Sequence, residues 1–146
     1  MIALRQAVPA DLPALAEVFR RASLSNDGDR AALLAHPEVV DLDDTGVREG
    51  RTRVAVDDSR IVGFATLDGS ELDDVFVDPD RMREGIGRRL VLDVFEQART
   101  QGLDRVEVTA NPHASAFYES VGFAPTGDVE TRFGPAVRMV HRFSAR

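Results

Sequence analysis

The chain reads as a single mixed α/β domain, and three observations predict it. Short apolar or alternating runs recur from Ile2 to Phe143. Tight turns join some of these runs, while amphipathic helical stretches join others. One run, Leu72 to Val77, passes through Asp78-Pro79 into a glycine loop that opens the longest helical stretch. Tight turns give antiparallel pairs and helical crossovers give parallel ones, so the sheet is mixed. The 146 residues suit one domain, 1–146, and a hydrophobic content of 43% is enough for one core. The sequence contains no internal repeat and no linker.

The elements follow in order. Ile2 to Ala7 alternates and predicts a first strand. Pro9, Asp11 and Pro13 mark a helix start, after which Leu12, Leu15, Val18, Phe19 and Ala22 form one apolar face. A second helical piece is expected over Asp29 to His36, ended by Pro37. Asp41 to Gly50 is polar and acidic and is expected to be a variable, acceptor-side element. Arg53 to Val56 and Ile61 to Leu67 form a hairpin around Asp57-Asp58-Ser59-Arg60. Leu72 to Val77 is the next strand. Ile86 to Gln101 is a long helix that buries Ile86, Leu90, Val91, Val94, Phe95 and Ala98 and stops at Gly102. Val106 to Thr109 is a strand, and Ala114 to Val121 a helix closed by Gly122. Val129 to Phe133 and Val137 to Phe143 make a last hairpin around Gly134-Pro135. The count is about six to seven strands and about four helices.

Composition removes several functions. The chain has no cysteine, which excludes disulfides, thiolate chemistry and cysteine-held metals. His36, His113 and His141 lie far apart and show no metal spacing. The formal net charge of -7 argues against nucleic-acid binding, which rests on basic contacts to phosphate. It suits a cationic acceptor such as an amine. The beginning of the chain shows no signal-peptide pattern, and no apolar stretch approaches the ~20 residues that span a bilayer. A cytoplasmic protein without a membrane partner is therefore expected; homodimerisation is left open.

The chemistry concentrates in Val77-Asp78-Pro79-Asp80-Arg81-Met82-Arg83-Glu84-Gly85-Ile86-Gly87-Arg88-Arg89-Leu90. A helix start carries N–H groups without partners and the positive end of the helix dipole. Glycines there let an anion approach the backbone. No Gly-Lys-Ser/Thr follows, so this is not a P-loop. No third glycine stands at position 90, so it is not the dinucleotide fingerprint.

A second segment, Asn111-Pro112-His113-Ala114-Ser115-Ala116-Phe117-Tyr118-Glu119-Ser120-Val121-Gly122-Phe123, completes a pair of motifs. Together the two resemble the GNAT superfamily of N-acetyltransferases. Its signature is V-x-P-x-x-(R/Q)-x-x-G-x-G-x, followed later by N-x-x-A-x-x-F-Y-x-x-x-G-F. The resemblance covers nearly the whole chain. It departs at Met82, where the family usually has Arg or Gln, at the cost of one phosphate contact. Arg81 and Arg83 flank that position.

The resemblance implies a sheet splayed between two middle parallel strands, here Leu72–Val77 and Val106–Thr109. It implies acetyl-CoA as cosubstrate, with its pyrophosphate on the N–H groups of Arg83, Glu84, Gly85, Ile86, Gly87 and Arg88. Glu84 helps there only if its side chain points to solvent. The pantetheine arm would pair with backbone at Phe76 and Val77. Asn111 would hydrogen-bond that arm, the alternative being a plain helix cap or turn residue. Tyr118, the only tyrosine, would protonate the departing thiolate; the alternative is packing beside the cofactor sulfur.

An amine acceptor must lose a proton, and Glu71-Leu72-Asp73-Asp74 places carboxylates before the splay. Regular alternation puts Glu71 and Asp73 on one face and Asp74 on the other. Glu71 is the chosen base, through a water. Glu107 is a further candidate, and a merely solvated edge is the alternative. With no cysteine to carry an acyl group, direct transfer to the amine is expected. A catalytically silent acyl-CoA-binding sensor is the rival reading. The acceptor's identity and the preferred acyl group are not legible.

Overall fold

The structure, a computed structural model, describes residues 2–25, 44–131 and 134–143. The seven strands are β1 (Ile2–Gln6), β2 (Thr52–Asp57), β3 (Arg60–Asp68), β4 (Glu71–Val77), β5 (Arg105–Ala110), β6 (Ala124–Thr131) and β7 (Gly134–Arg142). They form one sheet in the order β1-β2-β3-β4-β5-β7-β6. Every neighbouring pair is antiparallel except β4 and β5, which run parallel. The described helices are α1 (Leu12–Ser25), the single turn α2 (Thr45–Arg48), α3 (Ile86–Thr100) and α4 (Ser115–Ser120). The helix expected over Asp29 to His36 lies outside the described residues. Of the acidic stretch Asp41 to Gly50, residues 41–43 also lie outside, and α2 fills its middle.

The two faces of the sheet carry separate apolar clusters. One joins α3 to β3, β4, β5 and β7, through Leu90, Val91, Val94, Phe95, Val106, Val108 and Met139 among others. Ile86, Leu90, Val91, Val94, Phe95 and Ala98 are all buried, which is the stripe the 3.6-residue period predicts. Each of these side chains except Ala98 contributes about 1.5–3 kcal/mol on leaving water. The other cluster seats α1 on the opposite face, through Leu15, Val18, Val54 and Phe64. Phe19 meets Phe76 edge to face at 4.9 Å between ring centres. Ala22, expected on the same stripe, borders a cleft instead.

Two departures from the sequence pattern are instructive. β6 starts at Ala124, five residues before the expected Val129, and β7 starts at Gly134. Most of β6 is exposed, so its two faces carry no apolar alternation for a pattern to reveal. Hydrogen bonding to β7 along an edge makes it a strand.

The second departure is in β4. Leu72 pairs with Leu67 and Asp74 with Thr66, which leaves Asp73 as an extra residue in a β-bulge. Leu72, Val75 and Val77 consequently pack on the same cluster despite their uneven spacing. Glu71 falls on the other face, the one Phe76 presents to α1. The expected sharing of one face by Glu71 and Asp73 assumed regular alternation, which the bulge interrupts.

Beyond β4, Asp78 is buried and caps the turn Pro79–Arg81 by accepting from Asp80 N at 3.0 Å. Its other oxygen accepts from Arg21 at 3.1 Å and Arg60 at 3.3 Å. Arg21 also reaches Asp80 at 2.6 Å, so the end of α1 is tied to the turn that leads into the glycine loop.

Gly63 permits the close approach of α3 to β3 and β4. A Cβ there would lie 2.9 Å from the Phe76 carbonyl oxygen and 3.1 Å from Leu90 Cδ1. Gly63→Ala should destabilise the domain by about 1–3 kcal/mol in urea unfolding. Gly127→Ala, where nothing lies within 4 Å, should stay within about 0.5 kcal/mol. Equal effects at the two positions would refute this account of the packing.

Candidate functional site

The parallel strands β4 and β5 share a single ladder position, Glu71 opposite Glu107. Glu107 N also donates to Ser70 O at 2.7 Å. From there toward Val77 and Ala110 the two strands part. A cleft of about 720 Å³ opens where they separate. Its wall includes Val75 and Val77, which pack on the α3 side, and Phe76 and Ala22 from the α1 side. The opening therefore passes through the sheet.

One wall of the cleft is the start of α3. Gly85 caps the helix with φ +78, and Arg83 has φ +67, a left-handed backbone that is uncommon for a residue with a side chain. Left-handed residues in such a loop gather N–H groups on its concave side. The first intrahelical bond runs from Arg89 N to Gly85 O at 3.1 Å. The N–H groups of Ile86, Gly87 and Arg88 precede it and have no partner one turn back. At Gly87 a Cβ would stand 3.3 Å from Phe117 Cζ and 3.6 Å from Val77 Cγ2, inside the cleft. The site thus has a bare backbone cradle at the positive end of a fifteen-residue helix. That donor set fits a pyrophosphate.

Not all the expected positive charge is available. Arg81 forks onto Glu84, with contacts of 2.9–3.0 Å, and reaches Asp57 at 2.8 Å. Hydrogen bonding to Arg81 holds both the Glu84 and Asp57 carboxyls below their usual range. Stability from a lowered carboxylate is present above its ordinary pKa and is lost as pH falls through the lowered value, so this tie is intact at neutral pH. It turns Glu84 to Arg81, and Glu84 does not line the cleft. Arg83 and Arg88 do line it, and Arg88 Nη1 also donates to the Ser120 carbonyl at 3.2 Å.

The opposite wall is α4 and the turn before it. Tyr118 is buried and lines the cleft, between Phe117 at 5.2 Å and Phe123 at 5.4 Å ring to ring. Asn111 also lines it. Its Oδ1 accepts from Ala114 N at 2.9 Å, which is the turn role weighed above rather than a helix cap, since Ala114 itself is the N-cap and receives no side-chain bond; this leaves the amide nitrogen as its remaining donor. Phe76, Val77, Gly85, Ile86 and Gly87 complete the expected residues that meet here.

Glu71 lies apart from them, at the closed end of the gap. Arg138 of β7 donates to its two carboxylate oxygens at 2.9 and 2.8 Å, and this contact pushes the guanidinium above its usual value. Sequence reasoning missed Arg138, and also Val75, His113 and Phe117 on the cleft wall. Phe117 stood in the motif itself; nothing in the sequence singled out Arg138. A second cavity, of about 400 Å³, is lined by Pro112, Asp128, Val129, Glu130, Pro135, Ala136 and Val137. Among the described residues no group of histidines and carboxylates is arranged to hold a metal, and no helix is long and apolar enough to cross a membrane.

Residues 47–141 match the Acetyltransferase (GNAT) domain family. The peptidyl-lysine N-acetyltransferase YjaB of Salmonella typhimurium is 38% identical over 74 residues, which is 51% of this chain and 50% of that protein. The [ribosomal protein bS18]-alanine N-acetyltransferase of the same organism is 40% identical over 73 residues, 45% of this chain and 49% of that one. The chain spans about half the length of these curated relatives in the matches. The PaiA N-acetyltransferase of Thermoplasma acidophilum, solved in complex with coenzyme A, superposes with a TM-score of 0.75 at 18% identity, covering 98% of this chain and 99% of that one. That likeness bears on the fold.

The cradle makes a direct prediction. Acetyl-CoA at a hundredfold excess over its Kd should stabilise the native protein by about 2.7 kcal/mol, seen as a rise in Tm. Gly87→Val should abolish the rise, because its side chain occupies the cleft between Phe117 and Val77. A rise of equal size in Gly87→Val would place the ligand elsewhere.

Proposed function

Because the chain belongs to the GNAT acetyltransferase family, we propose that it transfers the acetyl group of acetyl-CoA directly to an amine. The observation that carries this reading is the through-sheet cleft, with a bare helix start on one wall and Tyr118 on the other. Acetyl-CoA, when bound, supplies a thioester carbonyl open to attack by an amine.

The chain's residues then divide the work. The N–H groups of Ile86, Gly87 and Arg88, with those of Arg83, Glu84 and Gly85 in the loop, bind the pyrophosphate. Val77 offers its backbone N–H and C=O on the open side of β4 to the pantetheine arm, as an added strand would use them, whereas the backbone groups of Phe76 face β3 and only its side chain borders the cleft. Asn111 donates to the same arm through its amide nitrogen. A backbone N–H at the gap polarises the carbonyl. Tyr118 gives its phenolic proton to the departing sulfur; at a pKa of about 10 a phenol keeps that proton at neutral pH, while a thiol of pKa about 8.5 accepts it.

Glu71 takes the proton of the acceptor's ammonium, through water, since it stands at the closed end of the gap. The acceptor is an amine on a protein, as the names of the relatives support: a lysine side chain for one and an alanine for the other. The acids Asp128 and Glu130 on the second cavity favour a cationic approach.

Release of CoA thiol with a panel of peptide amines tests the activity. With an accepted amine, Tyr118→Phe should lower kcat by roughly 10²–10⁴ while acetyl-CoA affinity changes only a few-fold. Unchanged kcat would remove Tyr118 from the chemistry. Glu71→Gln should cost most at neutral pH and less at high pH, where more of the amine is already neutral. A loss independent of pH would assign Glu71 to binding.

A further inference from the structure

Arg138 sits in the middle of β7, between Val137 and Met139, which both pack on the α3 side. Its own side chain lies on the other face, with Glu71 of β4 and with Glu107 and Thr109 of β5. Nη1 donates to both Glu71 oxygens, at 2.9 and 2.8 Å, and to Thr109 Oγ1 at 2.6 Å. Nη1 has two hydrogens, so one is shared by the carboxylate oxygens and the other goes to the hydroxyl. Nη2 stands 3.9 Å from Glu107 Oε2. Three strands thus meet at one guanidinium, about 29% exposed, at the point where β4 and β5 begin to part.

Two features give this contact a purpose beyond neutralising charge. The first is the register: Glu71 and Glu107 are direct partners across the strand pair, a like-charge arrangement that disfavours pairing. Glu107 has its own cation, Arg105 at 3.6 Å, and a hydroxyl contact from Ser70 at 3.4 Å. Arg138 accordingly serves Glu71 more closely than Glu107.

The second feature is the mode of contact. A fork would bring two nitrogens to the carboxylate, one to each oxygen. Here a single nitrogen approaches between the oxygens. Of the roughly four lone-pair positions on the carboxylate, the outer ones stay clear of Arg138. The carboxylate is fixed in direction yet able to accept another proton donor.

We propose that Arg138 is a positioning residue for acetyl transfer: it aims Glu71 across the gap and leaves its outer oxygen positions open for the water that carries the acceptor's proton. This rests on the reading of Glu71 as the base. Thr109 fixes the guanidinium in turn, and the bulge at Asp73 puts Glu71 on the face where Arg138 can reach it.

The test is a double-mutant cycle in steady-state acetylation of one peptide amine accepted by the wild type, with acetyl-CoA affinity measured by calorimetry. Arg138→Met should lower kcat by about tenfold or more, with acetyl-CoA Kd within about twofold. Arg138→Lys, which keeps a cation on the site, should recover most of that loss. In a Glu71→Gln background, Arg138→Met should cost less than about twofold, because there is no base left to aim. Should Arg138→Met fold poorly, Arg138→Gln replaces it in the cycle. An equal loss in both backgrounds, or a loss that Arg138→Lys does not relieve, would reduce Arg138 to a structural residue and overturn the proposal. Wild-type kcat in Arg138→Met would overturn it while leaving Glu71 as base. Wild-type kcat in Glu71→Gln would remove the base itself, and the proposal with it.

Discussion

The site depends on one interrupted ladder. β4 and β5 are neighbours in the sheet, yet they pair at one position and then diverge. Backbone groups that a continuous sheet would have bonded to each other are turned toward a cleft. Normally such groups are costly if buried, so a gap of this kind must be held open by its surroundings. α3 and the aromatic rings of Phe117, Tyr118 and Phe123 brace one side, and the Phe19–Phe76 contact braces the other. The hairpins β2–β3 and β6–β7 continue the sheet outward on either side of this break.

Arginine is the means by which an acidic chain keeps its carboxylates in place. Arg81 holds Glu84 and Asp57, Arg21 holds Asp78 and Asp80, Arg53 holds Asp93, and Arg138 holds Glu71. With no lysine in the chain, every one of these cations is a planar fork able to serve two groups at once. The exposed pairs among them contribute little individually. Their effect is geometric: Arg21 joins α1 to the turn after β4, and Arg81 turns Glu84 out of the anion site. The strong local excess of positive charge that the loop shows in sequence is therefore smaller in space, because Arg81 is matched by Glu84 and Asp57.

Much of the fold was legible because its signals are local. The apolar stripe of α3, the hairpin between β2 and β3, and the glycine-opened helix each follow from residues a few positions apart. The cleft residues Val77, Gly85, Ile86, Gly87, Asn111 and Tyr118 were legible for the same reason, since two contiguous motifs contain them, and Phe76 directly precedes the first. What escaped was set by pairing between distant segments. β6 has little burial and hence no alternation, so only its partner strand defines it. Arg138 meets Glu71 across 67 positions of sequence, and no spacing rule reports such a contact. His113 and Val75 join the cleft because of how the gap opens, which depends on where β4 and β5 stop pairing.

The bulge at Asp73 reaches further than its single residue suggests. Side chains alternate across a strand, so one extra position exchanges the two faces for everything that precedes it. The bulge absorbs that extra position; were Asp73 paired in regular register instead, Glu71 would be directed into the apolar layer beneath α3 and Leu72 outward to water. Loss of the bulge with every residue kept would thus turn Glu71 into a core defect, although no residue of the cleft had been altered, whereas deleting Asp73 together with its bulge would leave both faces unchanged. In an alignment of relatives, one residue fewer between this glutamate and Val75 is therefore compatible with the same facing, provided the bulge is absent as well.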